Sequence, residues 1–246
     1  MQRFFVEKSQ IEGNYIRITG SDMNHIKNVL RMKLKDTLQV CDDAQMEYSC
    51  YIEAMKPEEI LLHIQYAQEQ GAELSSSILL FQALPKADKM EFIIQKAVEL
   101  GAERIQPMRT RRCVVKLDET KAQKKQQRWQ QISESAAKQA KRGKIPTVGS
   151  VMGFSEALQM AAACDIRLIP YEMETNLKET KELLAQIPPG ASIAVFIGPE
   201  GGFAEEEIEA ALQAGVQPIT LGRRILRTET AGMMLLSVLM FLLEEE

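Results

Sequence analysis

From Ser77 onward, strand-like and helix-like segments alternate, and this alternation constrains the fold more than any other feature. Strands that alternate with helices pair in parallel, and the helices then cover both faces of the sheet. We therefore predict an α/β domain over residues 75–246. The short apolar runs that predict its strands are Ser77–Leu84, Arg104–Met108, Asp165–Tyr171, Ser192–Gly198 and Pro218–Gly222.

Two helices of this region are predicted in detail. The first covers Lys86–Leu100, follows Pro85 and ends at Gly101, with apolar residues at helical spacing. The second is basic and covers Thr120–Lys141.

Residues 1–70 have a different pattern and predict a small β-barrel domain. Short runs rich in β-branched and aromatic residues predict five strands, which turn signals at Gly13-Asn14, Asp42-Asp43 and Pro57 separate. One helix, Ser21–Met32, interrupts them, and Ser21 is its predicted cap. The polar segment Ala67–Ser77 is the predicted linker between the two domains.

Charge is distributed unevenly along the chain. The formal net charge is −4, but residues 104–144 hold 13 Lys and Arg against three Asp and Glu. Residues 200–246 hold three basic against nine acidic residues. Such segregation is typical of a positive face for a polyanion, although a solvated basic helix gives the same pattern.

Membrane, secreted and metal-binding classes are not indicated. The longest apolar stretch, Ala231–Leu243, is too short to cross a bilayer, and the first ten residues lack the apolar run of a signal peptide. Four scattered cysteines and two histidines show no metal-ligand spacing. We expect a cytoplasmic protein without a metal.

Two loops carry the chemistry, and each follows a predicted strand. The first is Gly198-Pro199-Glu200-Gly201-Gly202, before an acidic helix that begins near Ala204. Ligands of open α/β sheets bind beyond the carboxyl ends of strands, and glycines let the backbone approach them. An ordinary strand-to-helix turn remains the alternative, with Glu200 serving the following helix as a cap.

The second loop follows Leu221-Gly222 and contains Arg223, Arg224 and Arg227. Arginines between a strand and an apolar helix are costly to bury unpaired, so we expect them to face a polyanion or Glu229. Thr228 or Thr230 is the predicted cap of that helix. A basic surface turn is the alternative.

The pair GPEGGF and LGRRILRTETA resembles the signature of the RsmE family of SPOUT-class methyltransferases, which form N3-methyluridine in 16S ribosomal RNA. Further segments resemble motifs of the same family, so the resemblance spans nearly the whole chain. These segments are His25–Asp36, Lys86–Pro107 and Arg128–Pro146. Lys35, Ser135 and the run Thr110–Cys113 depart from the residues usual in the family.

The resemblance implies a small N-terminal PUA-like β-barrel that binds RNA and a SPOUT α/β domain with a trefoil knot. The knot and the site for S-adenosylmethionine would occupy about residues 165–235. Three loops would hold the cofactor, largely through backbone groups. The expected contacts are Ile169, Pro170, Gly198, Gly201, Gly202, Leu221, Gly222, Ile225 and Leu226.

For catalysis, the resemblance implies positioning of the donor and help in removing the N3 proton of uridine. Arg227 is the expected stabiliser of the developing negative charge. Glu229 is a candidate base or an orienter of Arg227, and Glu200 is a second candidate base. RNA contacts are expected from Arg31, Lys33, Lys86, Arg109, Arg111, Arg112, Lys138 and Arg142.

The resemblance also implies a homodimer that packs through the apolar C-terminal helix, acting on 16S ribosomal RNA or the small ribosomal subunit. Two other functions stay open on the residues alone. One is a non-catalytic RNA-binding protein of ribosome assembly. The other is a phosphate-binding α/β enzyme that uses GPEGG as an anion loop, which the acidic turn after that loop disfavours.

Overall fold

A computed structural model gives the structure of the protein over residues 3–42, 46–69 and 73–244. Residues 70–72 of the predicted linker and Asp43 of the predicted turn lie outside the described residues. The chain divides into two compact units. The first contains residues 1–73 and 141–144, and the second contains residues 74–140 and 145–246.

The first unit is a six-stranded mixed sheet with the order β1-β4-β5-β6-β3-β2, in which only β1 and β4 pair in parallel. Its strands are β1 (Arg3–Val6), β2 (Ile11–Glu12), β3 (Tyr15–Ile18), β4 (Thr37–Asp42), β5 (Met46–Met55) and β6 (Ile60–Glu69). Alternate residues of these strands, such as Ile16, Ile52 and Leu62, are fully buried in one core. The five predicted strands are confirmed, and the short β2 was not predicted. No backbone pairing closes the two ends of the sheet within the described residues.

One helical segment interrupts this sheet, as predicted, but its form and cap differ. Helix α1 (Gly20–Asn24) continues into a π-helical turn, His25–Val29. Thr19 precedes α1 in extended conformation, so Ser21 lies inside the helix and the predicted cap is wrong. A left-handed residue, Arg31, follows the turn and ends the helical path.

The second unit contains seven parallel strands, six of which form the order β10-β8-β7-β12-β11-β13, while β9 pairs with β8. The strands are β7 (Ser77–Ala83), β8 (Arg104–Arg109), β9 (Thr147–Val148), β10 (Met152–Gly153), β11 (Ile166–Pro170), β12 (Ser192–Ile197) and β13 (Gln217–Ile219). The predicted parallel sheet is confirmed. The two-residue strands β9 and β10 were not predicted because they are too short to show a period.

Helices cover both faces of this sheet. They are α2 (Lys89–Glu99), α3 (Glu119–Gln139), α4 (Phe154–Ala161), α5 (Leu177–Ala185), α6 (Glu205–Gln213) and α7 (Thr228–Leu243). On one face, Phe81 and Phe196 stack with centroids 4.7 Å apart in a core that α4 and α6 complete. On the other face, Gly232 of α7 lies against Ile197 of β12.

Candidate active site

A cavity of about 1050 Å³ opens where β11, β12 and β13 end. Its walls come from three loops, residues 170–177, 197–203 and 220–228, together with Lys89 and Ala231. Parallel strands bring their carboxyl ends to one edge of the sheet, and these three strands are close neighbours in it. The three loops that the resemblance implies for the cofactor therefore meet at this edge of the sheet, and their contact with a cofactor stays a prediction.

The loop after β12 is a tight turn in which Gly202 donates its backbone N–H to the carbonyl of Pro199 at 2.9 Å. Gly202 has φ +67°, a left-handed conformation that glycine adopts without strain. A Cβ added at Gly198 would stand 3.2 Å from the ring of Phe203. A side chain at this position would therefore crowd the ring of Phe203, which would have to move by a few tenths of an ångström.

Helix α6 begins immediately after this turn, close to its predicted start, but the predicted capping role of Glu200 is wrong. Glu207 accepts the backbone N–H of Ala204 at 2.9 Å and of Arg111 at 2.7 Å. Glu200 instead accepts the backbone N–H of Lys86 at 3.1 Å. Its carboxylate therefore faces the start of α2 and the cavity.

The loop after β13 turns at Gly222, whose φ is +103°, and then carries side chains into solvent. Arg223, Arg224 and Arg227 are exposed and line the cavity, and Ile225 is 91% exposed. Thr228 begins α7 and is buried, but its hydroxyl donates to the carbonyl of Gly198 at 2.6 Å rather than capping the helix. Thr230 lies in the first turn of α7, so neither threonine is the cap.

Eight of the nine residues predicted to contact a cofactor line this cavity: Pro170, Gly198, Gly201, Gly202, Leu221, Gly222, Ile225 and Leu226. Ile169 is the exception. Its side chain is fully buried in the core between the sheet, α4 and α6, because alternate residues of a strand face opposite sides of the sheet. Its side chain is therefore not available to a ligand, and a backbone contact of Ile169 with a cofactor stays a prediction.

Lys89, which sequence reasoning missed, joins the two predicted carboxylates. Its Nζ lies 3.1 Å from Oε1 of Glu200 and 3.2 Å from Oε2 of Glu229. These two glutamates raise the pKa of Lys89 above its ordinary value, although burial acts in the opposite direction. A lysine near the end of a strand, at the start of a helix, is the signal that could have identified it.

The pKa of Glu200 lies below its ordinary value although burial alone would raise it. Its own backbone N–H, that of Lys86 and the Lys89 ammonium together outweigh the burial. Glu200 is therefore ionised at neutral pH.

Arg227 lines the same cavity as Lys89 and Glu200. Its side chain has no hydrogen-bond or ion-pair partner among the described residues. Glu229 pairs with Lys89, so its predicted role as an orienter of Arg227 is not what the structure shows. The guanidinium of Arg227 is thus available to a ligand in the cavity.

The predicted RNA-contacting residues divide by exposure and partner. Arg31, Lys33, Lys86 and Arg109 are exposed. Arg111 and Arg112 are exposed too, but each has a partner near the glycine turn after β12: Arg111 pairs with Glu206 of α6 at 2.6 Å, and Arg112 donates to the carbonyl of Gly201 at 2.9 Å.

Two of these predicted residues are less accessible. Lys138 is half-buried and pairs with Glu134 at 2.7 Å. Arg142 is buried and pairs with Glu73 at 2.5 Å, so its predicted contact with RNA is wrong. Its place in a buried ion pair could not be read from a run of basic residues.

The described residues contain no group of three or more His, Cys, Asp and Glu side chains placed to hold a metal ion. Within the same part of the chain, no helix combines the length and hydropathy needed to span a bilayer.

Family models match both parts of the chain. An RNA methyltransferase domain matches residues 72–240, and an RNA methyltransferase PUA domain matches residues 18–65. The ribosomal RNA small subunit methyltransferase E of Bacillus subtilis is 36% identical over 247 residues, which cover 98% of this chain and 96% of that protein. This chain belongs to the RsmE family. The family predicted from the two C-terminal motifs is confirmed.

Other RsmE proteins agree over a similar length. The protein of the same name from Mesomycoplasma hyopneumoniae is 34% identical, and the match covers 96% of this chain and 98% of that protein. The crystal structure of the Neisseria gonorrhoeae protein bound to S-adenosylmethionine is 31% identical, covers 98% of each chain and has a TM-score of 0.85. The mixed α/β architecture and the PUA domain are therefore those of the RsmE family.

Proposed function

We propose that this chain transfers the methyl group of S-adenosylmethionine to N3 of a uridine in the 16S RNA of the small ribosomal subunit. One observation carries the proposal. The three loops after β11, β12 and β13 form a glycine-lined cavity, and its wall also holds Arg227 and the ion pair of Lys89 with Glu200. The names of the RsmE relatives support the RNA, and the Neisseria gonorrhoeae complex supports the cofactor.

The residues lining the cavity fit S-adenosylmethionine. Space is open around Gly202 and Gly222, where an added Cβ would meet no atom within 4 Å. A ligand can therefore approach the backbone there and use its N–H and C=O groups. Leu221 and Leu226 supply apolar walls, and Glu172 and Glu174 supply carboxylates for a cationic ligand. The volume is in the range of small-molecule sites.

When bound, S-adenosylmethionine supplies an activated methyl group on a positively charged sulfur. The chain must then orient uridine and lower the barrier to loss of its N3 proton. Arg227, which has no partner and is exposed at the cavity, would stabilise negative charge on the flanking carbonyl oxygens. Glu200, which lines the cavity, and Glu229, which shares Lys89 with it, would be the candidate proton acceptors.

RNA would lie over exposed basic residues of each unit, Arg31 and Lys33 in the PUA domain and Lys86 and Arg109 in the methyltransferase domain. Phosphate contacts of this kind give an affinity that falls with salt. The target base would leave its stack to reach the cavity. We place the boundary of the RNA-binding domain near residue 70.

We also infer the SPOUT knot over about residues 165–235. The order of strands supports it, because the connection from β12 to β13 crosses β11 and the chain then returns to pack α7 against β12. Homodimerisation through α7 and action in the cytoplasm, where ribosomal subunits are assembled, complete the proposal.

Calorimetric titration with S-adenosylmethionine and with ATP, followed by mass mapping of small-subunit RNA from a deletion strain, tests the proposal. We expect uptake of S-adenosylmethionine but not ATP, and restoration of one methyluridine by the purified protein. Arg227→Gln should keep cofactor uptake and lower the transfer rate by about 100-fold to 1000-fold. RNA binding without cofactor uptake would favour the non-catalytic alternative.

A further inference from the structure

Lys89 is the first residue of α2, and it is the meeting point of three distant chain segments. Its ammonium contacts Glu200 in the loop after β12 and Glu229 in the first turn of α7. The three side chains are only 29%, 26% and 16% exposed. Water therefore surrounds these side chains less than those of an exposed surface ion pair, in which both side chains move freely.

The cluster has more negative than positive charge. One ammonium faces two carboxylates, so one negative charge is not compensated within the cluster. A nearby ammonium favours the ionised form of a carboxylate, and Lys89 acts in this way on Glu200. The other charged or titratable side chains of the cavity are Tyr171, Glu172, Glu174, Arg223, Arg224 and Arg227.

We infer that Lys89 is a positioning residue that holds the carboxylates of Glu200 and Glu229 on one ammonium, so that this cluster accepts one proton from uridine N3 through Glu200 at the cavity wall. The inference rests on the proposed methyl transfer. In this step the N3–H bond breaks and an O–H bond forms on a carboxylate. The electron pair left on N3 forms the new N–CH₃ bond, while the S–CH₃ bond breaks and its electrons stay on the neutral sulfur.

A positively charged lysine between the two carboxylates suits this step better than a neutral hydrogen-bond donor would. After one carboxylate has taken the proton, the ammonium and the remaining carboxylate form a neutral pair. The site therefore passes from one excess negative charge to none as the N3 proton arrives. Lys89 itself transfers no proton in this step, because its pKa is raised and its ammonium stays charged.

Lys89→Met tests the inference in single-turnover methyl transfer to small ribosomal subunits between about pH 5 and 9. Without the ammonium, one carboxylate should hold a proton up to higher pH. We expect the acid limb of the rate profile to move up by about one pH unit or more, with about tenfold loss on that limb and recovery at high pH. Cofactor affinity should stay within about threefold.

Two variants serve as comparisons. Lys89→Arg should restore the acid limb, since it keeps a cation at the same place. Lys96→Met is the matched control, because Lys96 lies on the same helix, is 31% exposed and pairs with Glu99 at 2.7 Å away from the cavity. Its profile should match the parent.

A uniform loss of rate at every pH in Lys89→Met, without a shifted limb, would overturn the inference. A second measurement does not depend on that variant folding. Carboxyl ¹³C titration of the unmodified protein, assigned with Glu200→Gln, should show Glu200 ionised at neutral pH, and titration of Glu200 near neutral pH would also overturn the inference. If the parent protein takes up no S-adenosylmethionine, the proposed function itself fails, and the titration still reports on the cluster.

Discussion

The hydroxyl of Thr228 donates a hydrogen bond to the carbonyl oxygen of Gly198 at 2.6 Å. This bond joins the start of α7 to the glycine turn after β12. The same hydroxyl accepts a hydrogen bond from Nε2 of Gln82 at 2.9 Å, and Gln82 is fully buried in β7. Three segments that line or support the cavity are thus tied through one oxygen atom. We therefore expect this contact to help hold the glycine turn in position.

Thr228→Val keeps the shape of the side chain but removes the hydroxyl. It leaves the carbonyl of Gly198 and the amide of Gln82 without this partner, which should cost about 1–3 kcal/mol of stability. The turn should also loosen, so we expect weaker binding of S-adenosylmethionine by calorimetry. Thr228→Ser keeps the hydroxyl and should keep the affinity; equal affinities in both variants would argue against the role of the hydrogen bond.

Gly222 provides a second test of the cavity. At φ +103° a side chain is strained whatever the space, and Gly190, at φ +80° outside the cavity, meets the same restriction. We expect Gly222→Ala and Gly190→Ala each to lower stability by about 1–2 kcal/mol in thermal unfolding. Only Gly222→Ala should weaken cofactor binding, because Gly222 lines the cavity and Gly190 does not. An equal effect of Gly190→Ala would show that general destabilisation, not the cavity, determines the affinity.

Most of what positions this cavity could be predicted from the sequence. Strand runs such as Ser192–Ile197, followed directly by a glycine turn and a helix start, predict both the parallel sheet and the edge where ligands bind. The expectations of a knot, of the reaction and of the cofactor came from the resemblance of motifs, since local periodicity carries no information on how a chain threads through itself.

The details that prediction missed depend on which side chains meet in space. The sequence predicts Glu200 as a candidate base, with a helix cap as the alternative, and it gives no sign of its partners Lys89 and Lys86, which lie more than 100 residues away. Contact of Arg142 with RNA was predicted because its neighbours are basic, whereas its side chain is buried in an ion pair with Glu73. In both cases a long-range partner outweighs the local pattern.

Arg142 and Arg109 separate a structural from an RNA-contacting arginine. Arg142→Met leaves Glu73, whose side chain is 8% exposed, without its partner, and breaking such a buried pair costs about 3–5 kcal/mol. Arg109→Met changes an exposed residue and should alter stability by less than about 0.5 kcal/mol. In RNA binding over a range of salt, Arg109→Met should reduce the salt slope by about one, and Arg142→Met should leave it unchanged. The opposite assignment of slopes would restore the RNA role of Arg142.

Cys50 gives a pH dependence of known sign. The thiol is fully buried, and burial raises its pKa from 9.0 to about 12. The unfolded thiol therefore loses its proton first, so stability is complete below about pH 9 and falls as pH rises from there to about 12, by up to about 1.4 kcal/mol per pH unit. Urea unfolding of Cys50→Ala should show a shallower fall over this range than the parent protein. Parallel curves would mean that the thiol ionises in the folded protein as it does in the unfolded chain.

Helix α7 has one face in the core and one apolar face outside it. Leu235, Leu236 and Leu239 are buried, whereas Phe241 is 81% exposed and Met234 is 39% exposed. Met234 and Phe241 are seven residues apart, so they share a face of the helix. Exposed apolar residues aligned in this way favour association of two copies through the same surface.

Sedimentation equilibrium should therefore give a mass near twice the 27.7 kDa of the chain. Phe241→Glu would place a charge in that interface and should yield monomers, because an unpaired charge is costly to bury. Leu212→Glu, at a 46% exposed position of α6, introduces the same charge outside the proposed interface and should leave the dimer intact. A parent protein that sediments as a monomer, or a dimer that persists in Phe241→Glu, would exclude α7 as the interface.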